Sequence, residues 1–170
     1  MIIKSYEIKK INIDRNKFFL FYGKNEGLKN EAIKDLTKTK NKILSYDERE
    51  ILDNSDLFLE NVLTESLFDN EKIIIIKRAS DKILEIISVI IDKNISDLFI
   101  IISAENLEKR SKLRTLFEKD KEFICVPFYP ENEQTLSRLA FDLFSKKKIL
   151  ISQSNINLIV NKCGGDRERL

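Results

Sequence analysis

One stretch of the sequence carries most of the residues of a phosphate-binding loop. Such a loop reads G-x-x-x-x-G-K-S/T, because its glycines let backbone amides approach the phosphates while the Lys and the hydroxyl meet phosphate and Mg²⁺. The stretch that begins at Gly23 reads G-K-N-E-G-L-K-N, so Lys29 is retained but Gly27 comes one position early. Leu28 would crowd the phosphate, and Asn30 replaces the hydroxyl that binds Mg²⁺. The spacing therefore predicts a degenerate phosphate loop that holds no nucleotide.

The sequence lacks the residues that other common catalytic and metal sites require. An active phosphate loop needs an acidic residue at the end of a neighbouring strand, but the apolar run 73–76 ends in Lys77 and Arg78. The sequence has no His, which excludes Ser-His-Asp and Cys-His nucleophile systems and His-ligated zinc. Cys125 and Cys163 are too few for a disulfide framework or a four-cysteine zinc site. We therefore expect no catalytic residue, no metal site and no cofactor.

A hydrophobic pair interrupts a stretch that is otherwise polar. Residues 64–70 read TESLFDN, between a predicted helix and a buried strand, and they place Leu67 next to Phe68. Either the pair seals the end of the helix against the sheet, or it is an anchor for an apolar pocket on a partner. Burial of both side chains is worth about 3–6 kcal/mol, and association costs at least ~4 kcal/mol. An anchor that a folded domain already holds in place can therefore bind usefully.

Apolar runs alternate with helical patterns along the first 130 residues. The runs are short and nearly continuous, as expected for strands buried on both faces, and the helical segments repeat apolar residues every three to four positions. This order predicts an α/β fold with a doubly wound parallel sheet of five strands. The predicted strands are residues 17–22, 42–46, 72–77, 98–103 and 122–127, and the predicted helices are 28–36, 56–63, 81–91 and 111–118.

The pattern changes after two prolines close to residue 130. Helical periodicity then continues without strands, and we expect an α/β domain over residues 1–130 and the start of a small helical domain over residues 131–170. The last predicted helix finds no packing partner within the sequence, which suggests a piece of a longer protein. The predicted helices here are residues 132–147 and 149–163, with residues 166–170 as the opening of another.

Charge and hydropathy favour a cytoplasmic protein. Thirty Lys and Arg residues nearly balance 28 Asp and Glu, a net charge of +2, which argues against a polybasic nucleic-acid binder. The amino-terminal residues lack the apolar core of a signal peptide, and no apolar run approaches the ~18 residues of a membrane span. The Lys-rich runs 108–114 and 146–148 are interpreted as solvated helix faces, with contact to DNA phosphates as the alternative.

Several segments in a fixed order carry a family resemblance. They are FFLFYGKNEGLKNEAIKDL, SLFDNEKIIIIKRA, LFIIISAENLEKRSKLRTLFEK, VPFYPENEQTLSRLA and GGDRERL, which cover most of residues 18–170. This set resembles the delta-subunit family of the bacterial DNA polymerase III clamp loaders. The resemblance implies an AAA+/P-loop-type fold that has lost ATP binding, followed by a helical lid domain.

The resemblance also implies a function. Thr64, Glu65, Ser66, Leu67 and Phe68 would form the clamp-binding element, with Leu67 and Phe68 inserted into the hydrophobic pocket of the sliding clamp to help open its ring. The chain would not be an enzyme itself but a part of the DNA polymerase holoenzyme, a nucleotidyltransferase complex that serves DNA replication, and ATP would act on neighbouring subunits.

The same resemblance implies partners, and two alternative functions have to be kept beside it. The partners would be the sliding clamp, the other clamp-loader subunits through a collar domain absent from this sequence, and primed DNA indirectly, with no membrane. The alternatives are a P-loop ATPase or nucleotide kinase with a degenerate loop, and a generic interaction adaptor. An active nucleotide site requires ligands that the loop at Gly23 does not supply, whereas an adaptor would use the same hydrophobic pair on another partner.

Overall fold

The computed structural model describes residues 1–11, 16–38, 42–65, 72–95 and 97–170. The strands of the sheet are β1 (Phe18–Tyr22), β2 (Ile43–Asp47), β3 (Lys72–Ala79), β4 (Leu98–Ala104) and β5 (Ile124–Pro127). They pair in parallel in the order β2-β3-β4-β1-β5. Because the chain leaves β1 for the far edge, returns to β4 and then crosses to β5 on the other side of β1, the sheet is doubly wound. The predicted α/β fold class is confirmed.

Helices connect the strands and follow the last one. They are α1 (Glu26–Thr37), α2 (Glu48–Asp53), α3 (Ser55–Glu65), α4 (Leu84–Asp92), α5 (Lys112–Lys119), α6 (Glu133–Lys146) and α7 (Gln153–Cys163). Short 3₁₀ segments lie at Ser5–Lys10, which has six residues, and at Asp81–Ile83 and Arg167–Arg169, which are single turns. Each helix in the described ranges is too short or too polar to span a bilayer.

Both faces of the sheet are covered, as continuous apolar strands require. Alternate residues of β3 face opposite sides. Ile74 and Ile76 belong to a hydrophobic cluster with residues of α3, α4 and α5, whereas Ile73 and Ile75 belong to a second cluster with residues of α1 and the first 3₁₀ turn. The loop between β1 and α1 is therefore supported by a packed core on each side of the strand that precedes it.

Helices α6 and α7 pack against each other around a cluster of their own. Leu136 and Ala140 of α6 meet Ile156, Val160 and Cys163 of α7, and all of these side chains are buried. This α6–α7 hairpin lies in the part of the chain for which the sequence predicts a second domain. The division at residue 130 itself stays a prediction.

Helix boundaries differ from the prediction where a cap decides them. Helix α1 begins at Glu26 rather than at residue 28, because the side chain of Asn25 caps it. The prediction omits α2, although Asp47 and Glu50 form a capping box that marks its start. The predicted helix over residues 166–170 is wrong in kind, since Arg167–Arg169 forms a single 3₁₀ turn.

Three further elements differ from the prediction at one end. The predicted helix over residues 149–163 begins only at Gln153, where Ser152 caps it. The predicted helix over residues 81–91 opens with a 3₁₀ turn before α4. Strand β3 continues past residue 77 to Ala79 through an irregular register at Arg78, whose φ is +53°.

Candidate functional site

The loop between β1 and α1 lies at the carboxyl edge of the sheet, where doubly wound folds bind ligands. Gly23 follows β1 with a φ of +130°, and an added Cβ would come within 2.1 Å of the carbonyl oxygen of Phe128. The N–H of Gly23 donates to the carbonyl of Glu105 at 2.8 Å, immediately after β4. The loop is therefore held between the ends of β4 and β5, and only glycine fits at its first position.

Asn25 holds the start of α1 from within the loop. Its side chain is fully buried, and its Oδ1 accepts the N–H of Leu28 at 3.1 Å. Its Nδ2 donates to the carbonyl of Tyr129 at 3.2 Å, which ties the loop to the segment after β5. One of the free N–H groups at the start of α1 is thus satisfied by the loop itself.

A carboxylate from a distant part of the chain takes the next free N–H group. The N–H of Gly27 donates to Oδ1 of Asp166 at 2.9 Å, and the same oxygen accepts the N–H of Glu168 at 3.0 Å. Asp166 is buried. A phosphate oxygen in an active loop would use amides at this helix start, so the acid lies at the position where the loop would receive its anion.

The side chain of Leu28 does not block that position. It is half-buried and packs against the hydrophobic cluster that includes Ala32 and Ile33 of α1. The crowding that the sequence assigns to Leu28 comes instead from the backbone of residues 167–168, because an added Cβ on Gly27 would lie 2.4 Å from the backbone nitrogen of Glu168. The early glycine of the degenerate loop is therefore a packing requirement for this contact.

Lys29 is the retained basic residue of the loop, and its ammonium group is already occupied. Its side chain is buried, and Nζ donates to the carbonyl of Ala104 at 2.6 Å and to Oε1 of Glu26. A phosphate-binding Lys has to extend toward the ligand. Here the charge instead joins the start of α1 to the end of β4, which is a structural role.

Residues 164–170, which we call the strap, connect α7 to this loop and to α1. Arg167 donates from Nε to Oε2 of Glu131 at 2.8 Å, from Nη2 to the other oxygen of the same carboxylate, and from Nη1 to Glu31 of α1. The hydrogen bonds from Arg167 to Glu131 raise the pKa of the guanidinium above its ordinary value. Asn30, where an active loop has Ser or Thr, donates from Nδ2 to Glu168 at 3.1 Å.

A cavity of about 310 Å³ lies beside the loop at the same edge of the sheet. The end of β3 forms one side of this cavity. Lys77 and Arg78 lie there, at the position of the acids that would hold Mg²⁺ in an active site. Arg78 forms an ion pair with Asp47 at the end of β2. Among the described residues, no group of three or more His, Cys, Asp or Glu side chains is arranged to hold a metal ion. The cavity is lined by Glu26, Lys29, Asn30, Lys77, Arg78, Ser103, Ala104 and Glu105.

The second predicted site follows α3. Thr64 and Glu65 form the last residues of this helix, while Ser66, Leu67 and Phe68 lie outside the described residues. Both interpretations of the Leu-Phe pair, a seal against the sheet and an anchor for a partner, therefore remain open. Helix α3 is held to the sheet by Phe58 and Val62, which are 5% and 0% exposed.

The structure brings the five predicted loop residues together and adds partners that the sequence did not identify. These partners are Asn25, Glu131, Asp166 and Arg167. Only Asn25 carries a local signal, since Asn before a helical pattern indicates an N-cap. The other three lie more than 100 positions from the loop, and no short-range pattern relates them to it.

Comparisons with known proteins detect this fold but no close relative. No protein-family model matches the chain, and no curated protein matches its sequence. Among solved structures, the RuvB Holliday junction branch migration motor of Thermotoga maritima matches with a TM-score of 0.60 at 15% identity, over 96% of this chain and 54% of that one. Domain III of the replication initiation protein DnaA of Thermotoga maritima matches with a TM-score of 0.56 at 11% identity, over 96% of this chain and 75% of that one.

A clamp-loader protein is also among the similar structures. The DNA clamp loader delta protein of Bacillus subtilis matches with a TM-score of 0.53 at 14% identity, over 91% of this chain and 50% of that one. This chain thus spans about half the length of RuvB and of the delta protein. The chain has the α/β fold of these proteins.

Proposed function

We propose that this chain is the nucleotide-free AAA+-type part of a bacterial clamp-loader delta subunit, which binds the sliding clamp through Thr64, Glu65, Ser66, Leu67 and Phe68 and helps to open its ring. The observation that carries the proposal is the position of this element: its first two residues, Thr64 and Glu65, are the last residues of α3, and Ser66, Leu67 and Phe68 follow them in the sequence. The similarity in fold to the Bacillus subtilis delta protein supports it.

The packing of α3 supports the anchor interpretation energetically. Phe58 and Val62 are buried against the sheet, so the carboxyl end of the helix is held in place before any partner arrives. An anchor attached to a helix that is already held in place loses less conformational freedom on binding than a free peptide does. A few buried residues carry most of the binding energy of an interface, so two large apolar side chains can supply a substantial part of it.

The contacts of the loop support a role without ATP hydrolysis. Lys29 is buried with Glu26 and the carbonyl of Ala104, the amide of Gly27 is bonded to Asp166, and β3 ends in cations rather than acids. None of these arrangements stabilises a triphosphate with Mg²⁺. In the proposed mechanism, ATP acts on neighbouring loader subunits, and this chain contributes binding energy alone.

Ring opening requires a difference in affinity and not contact alone. A ligand shifts a two-state equilibrium only by the ratio of its affinities for the two states. The anchor must therefore bind the opened clamp more tightly than the closed one. In the assembled loader the remaining partners are the other subunits and, indirectly, primed DNA.

The test is binding of the chain to the sliding clamp of the same organism, measured by surface plasmon resonance. We expect the wild type to bind and the double substitution Leu67→Ala with Phe68→Ala to weaken binding by at least about 100-fold, since truncating such anchors costs roughly 3 kcal/mol or more. The matched control is Leu57→Ala, also in this region but 57% exposed on α3 and outside the element. It should bind like the wild type.

Three outcomes would reject parts of the proposal. If the double variant loses its circular dichroism signal and cooperative unfolding, the pair seals the core and is not an anchor. If the wild type does not bind the clamp while it remains folded, the adaptor alternative replaces the clamp assignment. Mg²⁺-dependent ATP binding with micromolar affinity, measured by calorimetry, would restore the P-loop ATPase or nucleotide kinase.

A further inference from the structure

The strap joins the α6–α7 hairpin to the sheet at the position where the loop would receive a phosphate. We propose that it is a built-in lock: the Asp166 carboxylate occupies the anion position at the start of α1, and Arg167 fastens α1 to the segment that enters α6. The orientation of the hairpin is then set by the protein itself and not by a bound nucleotide. This inference does not depend on clamp binding.

The backbone of the strap is fitted closely to both of its neighbours. An added Cβ on Gly27 would lie 2.4 Å from the nitrogen of Glu168, so the strap uses the space that the missing side chain leaves. On its other side, the carbonyl of Gly165 accepts the N–H of Glu131 at 2.8 Å. Gly165 has a φ of +86°, and a Cβ there would lie 2.4 Å from Cβ of Pro130. Glycines at both contacts allow an approach that no larger residue permits.

The charges of the strap are matched to what they touch. Asp166 is buried and accepts from the amide of Gly27 at the start of α1, where the helix dipole favours a negative group. Arg167 places its planar fork on the Glu131 carboxylate and reaches Glu31 on α1 with the remaining amine. One guanidinium thereby forms ion pairs with both acids that flank the strap.

The strap also contacts the hairpin at its far end. Leu170 packs against the α6–α7 cluster of Leu136, Ala140 and their partners, so the segment touches α1 and the hairpin at once. Since α7 runs directly into the strap at Gly164, a movement of the hairpin has to break the Asp166 and Arg167 contacts. A charge-assisted hydrogen bond is among the stronger contacts in a protein, so this coupling is firm.

The experiment is hydrogen–deuterium exchange on the full chain. Asp166→Ala should increase exchange at the first amides of α1 and across α6 and α7 by about tenfold, the factor expected when one charge-assisted hydrogen bond is lost. Exchange in β3 and β4 should not change. Arg167→Ala should increase exchange in the same regions. The matched controls are Asp92→Ala, an exposed acid on α4, and Arg169→Ala, an exposed Arg within the strap itself, and both should exchange like the wild type in α1, α6 and α7.

Other results would overturn the lock. If hydrogen exchange in α6 and α7 is unchanged in Asp166→Ala, the strap does not fix the orientation of the hairpin. Protection of the first α1 amides in the wild type by added inorganic phosphate would show that the anion position is open. If Asp166→Ala does not fold, Asp166→Asn retains the acceptor oxygen without the charge. An exchange pattern of this variant identical to that of the wild type would reject the carboxylate as the occupant, whereas faster exchange in α1 and the hairpin would support it.

Discussion

Helices α1 and α5 begin in the same way, although only α1 begins at the position of a degenerate phosphate loop. Comparing them shows which contacts are ordinary helix capping and which belong to the former ligand position. Helix α1 is capped by Asn25 and receives the carboxylate of Asp166. Helix α5 is capped by Ser111, whose hydroxyl accepts the N–H of Arg114 at 3.1 Å, and it receives the carboxylate of Asp81. In each case a local residue satisfies one free amide, and an acid from elsewhere in the chain satisfies one more at α1 and two more at α5.

The two carboxylates differ in their surroundings. Asp81 is exposed and accepts from the hydroxyl of Ser111 at 2.6 Å and from the amides of Lys112 and Leu113 at 3.1 and 3.0 Å. Asp166 is buried and comes from beyond α7, 139 positions from the amide that it accepts. A carboxylate from a residue outside the helix therefore caps both helix starts, and such a contact does not by itself indicate a ligand site. What distinguishes α1 is its place after β1, where the preceding loop lies between the ends of β4 and β5 and a ligand would bind.

The largest expected change in stability is at Lys29, the buried cation near the start of α1. Lys29→Ala should lower the free energy of unfolding by about 3 kcal/mol, because it leaves a void and an unpaired buried carbonyl at Ala104. The matched control Lys24→Ala, an exposed Lys in the same loop, should change it by less than about 0.5 kcal/mol. Urea unfolding measures both. A Lys29→Ala variant as stable as its control would contradict the structural role and make this Lys available to a ligand.

A smaller effect is expected at Gly27. Alanine in a helix interior is normally favoured over glycine by about 1 kcal/mol, but here its Cβ meets the strap, and such overpacking costs about 1–3 kcal/mol. We expect Gly27→Ala to destabilise the chain by about 1 kcal/mol in urea unfolding.

A double-mutant cycle identifies the strap as the cause of that loss. In an Asp166→Ala background the strap is no longer held by its carboxylate, so the cost of Gly27→Ala should shrink or reverse. The corresponding position of α5 is Leu113, a fully buried core residue, and there a large side chain is required instead. If Gly27→Ala stabilises the wild type, the strap does not press on α1 and the two helix starts are alike.

The sequence predicts the parts of this molecule that depend on local pattern. Strand β4 and helix α6 agree with the predicted residues 98–103 and 132–147 to within one position at their ends, because an apolar run and a helical stripe are visible in a short window. Helix α2 was missed because six residues are too few to show a period, and only its capping box marks it.

The site was predictable in composition but not in its contacts. The sequence identifies Gly23, Gly27, Lys29 and Asn30 as a degenerate loop, because the departures from the motif are local. It gives no indication that Asp166 would occupy the helix start, since that contact is created by the path of α6 and α7 back to the sheet. The role of Gly27 is therefore visible only once the strap is in place.

The smallest expected effect concerns pH and the α5 carboxylate. Burial alone would raise the pKa of Asp81, but the hydrogen bonds from Ser111, Leu113 and Lys112 and the charge of Lys112 outweigh it, so the pKa lies below its ordinary value of 3.8. A lowered pKa means that the folded state favours the carboxylate. Its stabilisation is therefore present above the ordinary pKa and disappears as the pH falls through the folded value.

Asp81→Asn measures this contribution directly. The variant should be less stable than the wild type by about 0.5 kcal/mol near neutral pH, the lower end of the range for capping interactions, because Asp81 is exposed to solvent. The difference should fade as the pH drops below about 4. Asp142→Asn, a substitution of an exposed acid on α6, corrects for the change in net charge. Urea unfolding across this pH range is the measurement. A difference that stays constant down to acid pH would mean that the loss in Asp81→Asn does not come from the charge of the carboxylate.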